Sequence, residues 1–255
     1  MIGANINCVQ GVNSLHYRLG SLAMPDRDTE NLVGIALLCD LPQLALTDAA
    51  KNCRWRSYGA NEQIIDRQSE ATDVFFVREG CTRVVNYSIS GREITLDDIG
   101  CGGHFGELAA IDGQPRSASV MALTHCSVAI MPQERFLDLV DQNPSVALKV
   151  MRGLASIIRN STERIMDLST LAANNRVQAD LLRQALNNLN GDNSASISPI
   201  PVHADIASRV STTRETVARV MNELARQGIV ERQKNVLVIQ DVNRLQEMIE
   251  EVRGE

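Results

Sequence analysis

The sequence predicts an α+β protein with an N-terminal β-roll (jelly roll), a long helix and a C-terminal winged helix-turn-helix. Short apolar runs alternate with glycines between residues 53 and 132, which is typical of a jelly roll. A helical period follows from Pro144 to about Ala173, and two helices, a tight turn and a hairpin follow Pro201. The predicted division is an extension (1–30), a β-roll (31–142), a long helix (143–174), a winged helix-turn-helix (175–240) and a C-terminal tail (241–255).

Composition excludes several classes of protein. The chain has 255 residues and a net charge of -6, and its longest apolar run, residues 33–39, is far shorter than the roughly 20 residues of a membrane span. No basic segment leads into an apolar one at the N-terminus, so we expect a cytoplasmic protein with no membrane partner. The acidic charge does not exclude a DNA-binding surface, because the field that matters is local.

Cysteine and histidine spacing argues against a metal centre. The six cysteines are dispersed without a C-x-x-C pair and are expected to be reduced and mostly buried: Cys8, Cys39, Cys53, Cys81, Cys101 and Cys126. The four histidines have no metal-ligand spacing: His16, His104, His125 and His203. We therefore expect no metal cofactor, neither an iron-sulfur cluster nor haem.

The β-roll is predicted from five runs with strand character, at residues 53–58, 73–77, 82–87, 93–96 and 126–130. The long helix that follows would extend about 45 Å. Positions at alternating steps of three and four along it form a coiled-coil seam, apolar except at one serine: Met151, Leu154, Ile158, Ser161, Ile165, Leu168 and Ala172. This seam predicts a homodimer through helix 143–174, although the stripe could instead pack against the chain's own β-roll.

A second helix is predicted at residues 177–189, followed by a polar linker at 190–194. The loop at 190–199 is a possible contact surface for RNA polymerase. Asn174 and Asn175, where the long helix meets the C-terminal module, are predicted to form a hinge.

The C-terminal helix pair suggests DNA recognition. Thr212-x-x-Glu215 has the spacing of a capping box at the start of the second helix. Arg214, Glu215 and Arg219 share one face of that helix, where arginine can pair with guanine and glutamate with cytosine in the major groove. A solvated helix face remains the simple alternative.

Further DNA contacts are expected on either side of that face. Thr213 precedes it, and Arg232 and Lys234, in a hairpin that resembles a wing, could contact phosphate.

A glycine-rich stretch from His104 to Val120 suits an anionic sugar ligand. Arg116 offers a fork of donors for phosphate, Ser117 a further donor, and Glu107 an acceptor for a ribose hydroxyl. Gly106 allows close backbone approach. Taken by themselves, Glu107 and Arg116 could equally form a surface ion pair.

The whole stretch resembles the phosphate-binding cassette of cyclic-nucleotide-binding domains, and Arg-Glu-Thr-Val-x-Arg at residues 214–219 is similar to the recognition helix of the cyclic-AMP receptor protein and fumarate-nitrate regulator superfamily. The resemblance covers residues 53–239. It implies that Gly106, Glu107, Leu108, Arg116 and Ser117 bind a cyclic nucleotide, that Ser161 and Thr162 face its base, and that the DNA site is a TGTGA-type palindrome.

The sequence as a whole predicts a homodimeric transcription regulator gated by a cyclic nucleotide, with cyclic AMP as the family default and cyclic GMP the other candidate. A regulator of the same fold with a vestigial pocket or another effector is the nearest alternative. An enzyme, or the regulatory subunit of one, is disfavoured by the helix-turn-helix, and no catalytic motif is visible.

Overall fold

The structure is a computed structural model that describes residues 31–253. These residues belong to two compact units, which divide between Met166 and Asp167. The predicted α+β class is confirmed. The predicted extension 1–30, which includes Cys8 and His16, lies outside the described residues.

The N-terminal unit contains two four-stranded sheets. After a 3-10 turn at Ala36–Leu38, its elements in order are α1 (Gln43–Lys51), β1 (Arg54–Tyr58), β2 (Gln63–Ile65), β3 (Val74–Glu79), β4 (Cys81–Tyr87), β5 (Glu93–Gly100), β6 (His104–Phe105), α2 (Glu107–Asp112), β7 (Ser119–Ala122), β8 (Cys126–Met131), α3 (Gln133–Gln142) and α4 (Pro144–Thr170). The sheets have the strand orders β1-β8-β3-β6 and β2-β7-β4-β5, with antiparallel pairing throughout.

The alternation along β3 shows how the unit is layered. Phe75 and Val77 pack between the two sheets with residues of both, a group that we call the inter-sheet core. Val74 and Phe76 point to the opposite face, where helical segments cover the sheet. Successive side chains of a strand point to opposite faces, so this continuous apolar run serves two cores.

The five predicted strands correspond to β1, β3, β4, β5 and β8. Sequence analysis missed β2, β6 and β7. Each has only two to four residues, too few to show an alternating pattern.

The long helix ends earlier than predicted. α4 ends at Thr170, and Ala172 has extended dihedral angles (φ -64°, ψ 157°), so a new helix, α5 (Ala173–Leu186), starts at the next residue. The predicted junction at Asn174 and Asn175 was therefore wrong: the helix break lies at residues 171–172, and these two asparagines are in the first turn of α5. The predicted start of this helix at residue 177 was also wrong.

The C-terminal unit continues with β9 (Ala195–Ile197), α6 (His203–Arg209), α7 (Arg214–Arg226), β10 (Val230–Gln233), β11 (Val236–Ile239) and α8 (Val242–Arg253). Its sheet has the order β10-β11-β9. The segment predicted as a loop at 190–199 thus contains a strand, in which Ile197 pairs with Leu237 of β11. Both side chains are buried in the core of this unit.

The predicted C-terminal tail is also structured. Val242, Leu245 and Ile249 of α8 are buried, at the spacing of one helical face. Val242 and Leu245 belong to the main core of the C-terminal unit. Residues 242–253 are therefore part of this unit and not an appendage.

Free cysteines in the described part of the chain vary in exposure. Cys126 is buried and Cys39 is exposed, whereas Cys53, Cys81 and Cys101 are half-buried. Burial raises the pKa of Cys53 to about 12. The expectation of mostly buried thiols is thus met fully only at Cys126.

No helix in the described part of the chain is both long enough and apolar enough to cross a bilayer.

Candidate functional site

The glycine-rich stretch is organised around Arg116. Gly106 connects β6 to α2 with a positive φ of 88°. Arg116 donates from Nη1 to the carbonyl oxygen of Gly106 at 2.8 Å and from Nη2 to that of Asp73 at 2.6 Å. The residue is only 5% exposed. The guanidinium therefore fastens the start of α2 to the segment that precedes β3.

An aromatic pair lies beside this guanidinium. The ring of Phe75 is 5.7 Å from the guanidinium carbon and stacks on Phe105, with 4.9 Å between the ring centroids. Burial lowers the pKa of Arg116, and the carboxylates of Asp73 and Glu107 oppose that shift. Because arginine remains protonated at neutral pH, the stretch presents a fixed positive charge.

Two buried polar atoms near this charge have no hydrogen-bond partner. Among the described residues, three buried side-chain polar atoms lack partners, and two of them are Arg116 Nε and Asn86 Oδ1. Asn86 donates from Nδ2 to the carbonyl oxygen of Ser117 at 3.4 Å, so it adjoins the same loop. Unsatisfied buried groups are uncommon in folded proteins, and a bound ion is one of the reasons for which they occur. A donor on a fixed cation fits an anionic group such as phosphate.

A side chain could not replace Gly106 without displacement of its neighbours. A Cβ atom there would lie 2.7 Å from Arg116 Nη1 and 2.9 Å from the carbonyl oxygen of Asp73. The position therefore requires glycine for its positive φ and for space.

The other predicted cassette residues surround this centre. Glu107 is the first residue of α2 and is half-buried, as is Leu108, whereas Ser117 is exposed. In the described part of the chain the carboxylate of Glu107 accepts no hydrogen bond. Burial lowers the pKa of the neighbouring His104, and the charge of Glu107 opposes that shift. Glu107 thus provides an acceptor next to the Arg116 cation.

The two hydroxyl residues predicted on α4 are exposed. Thr162 Oγ1 donates to the carbonyl oxygen of Ile158 at 3.0 Å, the bond back to its own helix that a structural hydroxyl makes. No hydrogen bond in residues 31–166 joins Ser161 or Thr162 to the cassette. Arg164 connects α4 to the β-roll instead, since Nη2 donates to the carbonyl oxygen of Thr95 at 2.6 Å.

The C-terminal unit contains the predicted helix-turn-helix as α6 and α7. Arg176 of α5 donates to the carbonyl oxygens of Val210 at 2.9 Å and Ser211 at 3.2 Å, which fixes the turn between the two helices. Arg209 of α6 forms two hydrogen bonds to the buried carboxylate of Asp180 on α5. These hydrogen bonds hold α6 and the turn that follows it against α5.

The two faces of α7 are as predicted. Val217, Val220 and Leu224 are buried in the core, and the predicted DNA contacts are exposed: Thr213, Arg214, Glu215 and Arg219.

The predicted cap of α7 was wrong by one residue. Thr213 is the N-cap, and its Oγ1 accepts from the N–H of Thr216 at 3.3 Å. Thr212 is buried and its N–H bonds to Ala207 of α6, so it belongs to the turn. Hydrogen bonds from its own N–H and from Thr213 lower the pKa of Glu215, which keeps this carboxylate ionised.

The predicted wing is the hairpin β10–β11. Gln233 pairs with Val236, so Lys234 and Asn235 form a two-residue turn. Lys234 has a positive φ of 44°. Its side chain and that of Arg232 are exposed, as phosphate contacts require.

The seam predicted along α4 is largely solvent-accessible in the single chain. Met151, Ile158, Ile165 and Leu168 are between 44% and 65% exposed. Leu154 instead packs partly against the helical core of the N-terminal unit.

Sequence reasoning missed several residues of these sites. Asp73 contributes through a backbone carbonyl, which no side-chain pattern reveals. Arg164 and Arg176 also act on backbone carbonyls, at partners 69 and 34 residues away. Only the fold brings such pairs together.

Comparison with known proteins identifies the domain that contains each candidate site. Residues 55–143 match the model of the cyclic nucleotide-binding domain, and residues 175–248 match that of the Crp-like helix-turn-helix domain. The cyclic AMP receptor protein of Thermus thermophilus is 29% identical over 196 residues, which cover 76% of this chain and 87% of that protein. The cAMP-activated global transcriptional regulator CRP of Haemophilus influenzae is 26% identical over 194 residues, covering 74% and 84%.

Among solved structures, a mutant of CooA from Carboxydothermus hydrogenoformans has the same fold, with a TM-score of 0.70 and 22% identity over 78% of this chain and 88% of that one. The fold and the two domain matches define a regulator that joins a cyclic nucleotide-binding domain to a helix-turn-helix. The chain belongs to the CRP/FNR family of transcription regulators.

Proposed function

We propose that this protein is a homodimeric transcription regulator that binds a palindromic DNA site when a cyclic purine nucleotide occupies its β-roll. The observation that carries the proposal is the buried guanidinium of Arg116. It is hydrogen-bonded to the carbonyl oxygen of Gly106, and its own Nε has no hydrogen-bond partner. Cyclic AMP is the ligand that the family resemblance favours, and cyclic GMP is the other candidate.

Each cassette residue has a chemical role in this proposal. Arg116 and Ser117 hold the cyclic phosphate, because a fixed cation and a hydroxyl donor complement its oxygens. Glu107 accepts from the ribose 2′-hydroxyl, Gly106 allows the backbone to approach, and Leu108 contributes apolar contact. Ser161 and Thr162 face the base from α4.

The exposed seam of α4 supports the proposed dimer. Met151, Ile158 and Ile165 present apolar surface at coiled-coil spacing. A second copy of α4 would cover it. Ser161, the polar member of the seam, is then well placed to set the register or contact the base.

The DNA site is proposed to be a TGTGA-type palindrome. Two recognition helices of a dimer read half-sites about 34 Å apart, one on each side of the two-fold axis. Arg214, Glu215 and Arg219 read bases, and Thr213, Arg232 and Lys234 contact the backbone.

Gating is proposed to act through α4. Residues 144–166 of this helix belong to the N-terminal unit and residues 167–170 to the C-terminal unit. A nucleotide that contacts Ser161 and Thr162 would shift the equilibrium between dimers with different helix spacing, and so change DNA affinity.

A second candidate is a regulator that binds DNA without a nucleotide. The observation in its favour is that Arg116 already donates to two carbonyl oxygens of its own chain. In that case the guanidinium is a structural clamp and the cassette does not gate DNA binding.

Calorimetric titration of the full chain with cyclic AMP and with cyclic GMP separates the two candidates. We expect one nucleotide per chain, and Glu107→Ala should lower the affinity more than about tenfold, because a hydrogen bond to a charged group is lost. Glu134→Ala, an exposed carboxylate in the first turn of α3, is the control and should bind normally. A folded protein that binds its DNA but neither nucleotide would favour the second candidate.

A further inference from the structure

Strand β5 contains a bulge next to the cassette. Val84 of β4 pairs with Asp97, but the next residue, Val85, pairs with Thr95. Leu96 is therefore the extra residue on β5. Such bulges are common beside binding sites, where they redirect the neighbouring side chains.

The register places Asp97 on the inner face of its sheet. Val84, directly opposite Asp97, packs against the inter-sheet core, and so does Ile99, two residues further along β5. Residues that pair directly, and residues two apart on one strand, share a face. Asp97 is nevertheless exposed. Its carboxylate therefore faces an open end of the space between the sheets.

Helix α4 contacts the bulge itself. Arg164 donates to the carbonyl oxygens of Thr95 at 2.6 Å and Leu96 at 3.4 Å, the two residues that precede Asp97. Arg164 lies three residues after Ser161, on the same face of α4, so this contact brings Ser161 into the neighbourhood of Asp97.

The charge of one cassette residue also acts on Asp97. Partial desolvation raises the pKa of Asp97, the charge of Glu107 adds to this shift, and Arg164 opposes it. The charges of Glu107 and of Arg164 on α4 are therefore both close enough to act on the Asp97 carboxylate.

The adjacent carboxylate is engaged elsewhere. Asp98 forms two hydrogen bonds with Arg83, at 2.7 and 2.8 Å. Within the described residues, the one hydrogen bond to the Asp97 carboxylate comes from the N–H of Asp98 at 2.9 Å. An ionised carboxylate has about four acceptor positions, so Asp97 retains most of its capacity for a ligand.

We propose that Asp97 reads the base of the bound nucleotide and selects guanine over adenine. Guanine presents a ring N–H and an amino group side by side, two donors that match the two oxygens of a carboxylate. Adenine presents an amino donor next to a ring nitrogen that accepts, and this nitrogen would face a carboxylate oxygen without a proton between them. The inference rests on the proposed nucleotide function and specifies its ligand as cyclic GMP.

The test is calorimetric titration of the full chain with cyclic GMP, cyclic IMP and cyclic AMP. Inosine retains the ring N–H of guanine but lacks the amino group. The unsubstituted protein should bind cyclic GMP about tenfold or more tighter than cyclic AMP, the discrimination that one paired contact of this kind provides. Cyclic IMP should fall between them.

Asp97→Ala should bring the affinities for cyclic GMP and cyclic AMP to within about threefold of each other. Asp97→Asn, which is nearly isosteric and should fold normally, should favour cyclic AMP, because an amide can pair with both the amino group and the ring nitrogen of adenine. Asp141→Asn, which removes an exposed carboxylate at the end of α3, is the matched control and should retain the preference for cyclic GMP.

Two results would overturn the inference alone: a preference of the unsubstituted protein for cyclic AMP, or an unchanged ratio in both Asp97 variants. Failure of all three nucleotides to bind the folded protein would overturn the proposed function, and the inference with it.

Discussion

Arg116 donates to the carbonyl oxygen of Gly106 at 2.8 Å, so the proposed phosphate-binding cation and the glycine of the cassette form one structural unit. Ten residues separate them in sequence. The bond is made where Gly106 has a positive φ, just before α2 begins, and it also orients the guanidinium. If the proposed nucleotide site lies here, its binding depends on the same hydrogen bond as the local fold, so substitutions should affect both stability and nucleotide affinity.

The substitution Gly106→Ala tests that coupling. A left-handed backbone at alanine costs about 1–2 kcal/mol, and the contacts of a Cβ with Arg116 and Asp73 add to this. We expect chemical denaturation to show that the free energy of unfolding falls by about 2–4 kcal/mol, and we expect nucleotide binding to be lost.

Gly113→Ala is the matched control for this substitution. Gly113 also has a positive φ, of 67°, but a Cβ there has nothing within 4 Å. It should lose only about 1 kcal/mol and retain nucleotide affinity. Equal losses of stability and affinity in the two variants would show that the Arg116 contact has no special role.

Arg219→Ala should reduce sequence preference on DNA. Arg219 is exposed on α7 and donates from Nη2 to Asn174 Oδ1 at 3.1 Å, so its side chain is oriented by α5. The measured quantity is the ratio of the affinity for the intact half-site to that for a half-site in which the contacted base pair is replaced. Loss of an arginine–guanine pair should lower this ratio by about tenfold or more. Competition binding at fixed salt measures it. Arg226→Ala, in the last turn of the same helix, should keep the preference, and a similar loss there would argue against base reading by Arg219.

Ile158→Glu should disrupt the dimer. Ile158 is 65% exposed in the single chain, at the centre of the α4 seam. A charge at this position would be buried in a coiled coil, so sedimentation velocity should show a monomer. Ile89→Glu alters an even more exposed isoleucine in the β4–β5 turn and should leave the dimer intact. If the Ile158→Glu variant is still a dimer, the α4 seam does not form the dimer interface.

Asp167→Ala should destabilise the C-terminal unit. The carboxylate is buried and accepts from Arg183 and from Arg253 of α8, both at 2.6 Å. Because both arginines are partly exposed, we expect the free energy of unfolding to fall by about 2 kcal/mol, less than when a fully buried ion pair is broken. Arg253→Ala, which leaves the Arg183 bond in place, should lose less. An unchanged unfolding temperature in both variants would mean that the ion pairs of Asp167 contribute nothing to stability.

The parts of this structure that sequence predicts are those with local patterns. The recognition face of α7 follows from helical period, and the glycine-rich cassette from residue types within one short segment. The contribution of Asp73 could not be predicted, because it acts through a carbonyl brought to Arg116 by the pairing of strands. α8 was missed although Val242, Leu245 and Ile249 have a helical period, since a short terminal segment shows it only weakly.

The cap of α7 shows a different limit. Thr212 and Thr213 are both able to cap a helix, and the sequence spacing to Glu215 favoured the first. The structure uses Thr213, because Thr212 is occupied in the turn after α6. Element boundaries depend on such tertiary contacts.

The central claim is that a nucleotide in the β-roll controls DNA affinity, and fluorescence anisotropy tests it most directly. A labelled duplex with a TGTGA-type palindrome is titrated with the protein alone, with cyclic AMP and with cyclic GMP. Salt is held constant because it sets the non-specific background. Our account predicts tight binding only when a nucleotide is present, at the lower concentration for cyclic GMP. Equal binding in all three titrations would contradict gating by the cassette around Glu107 and Arg116.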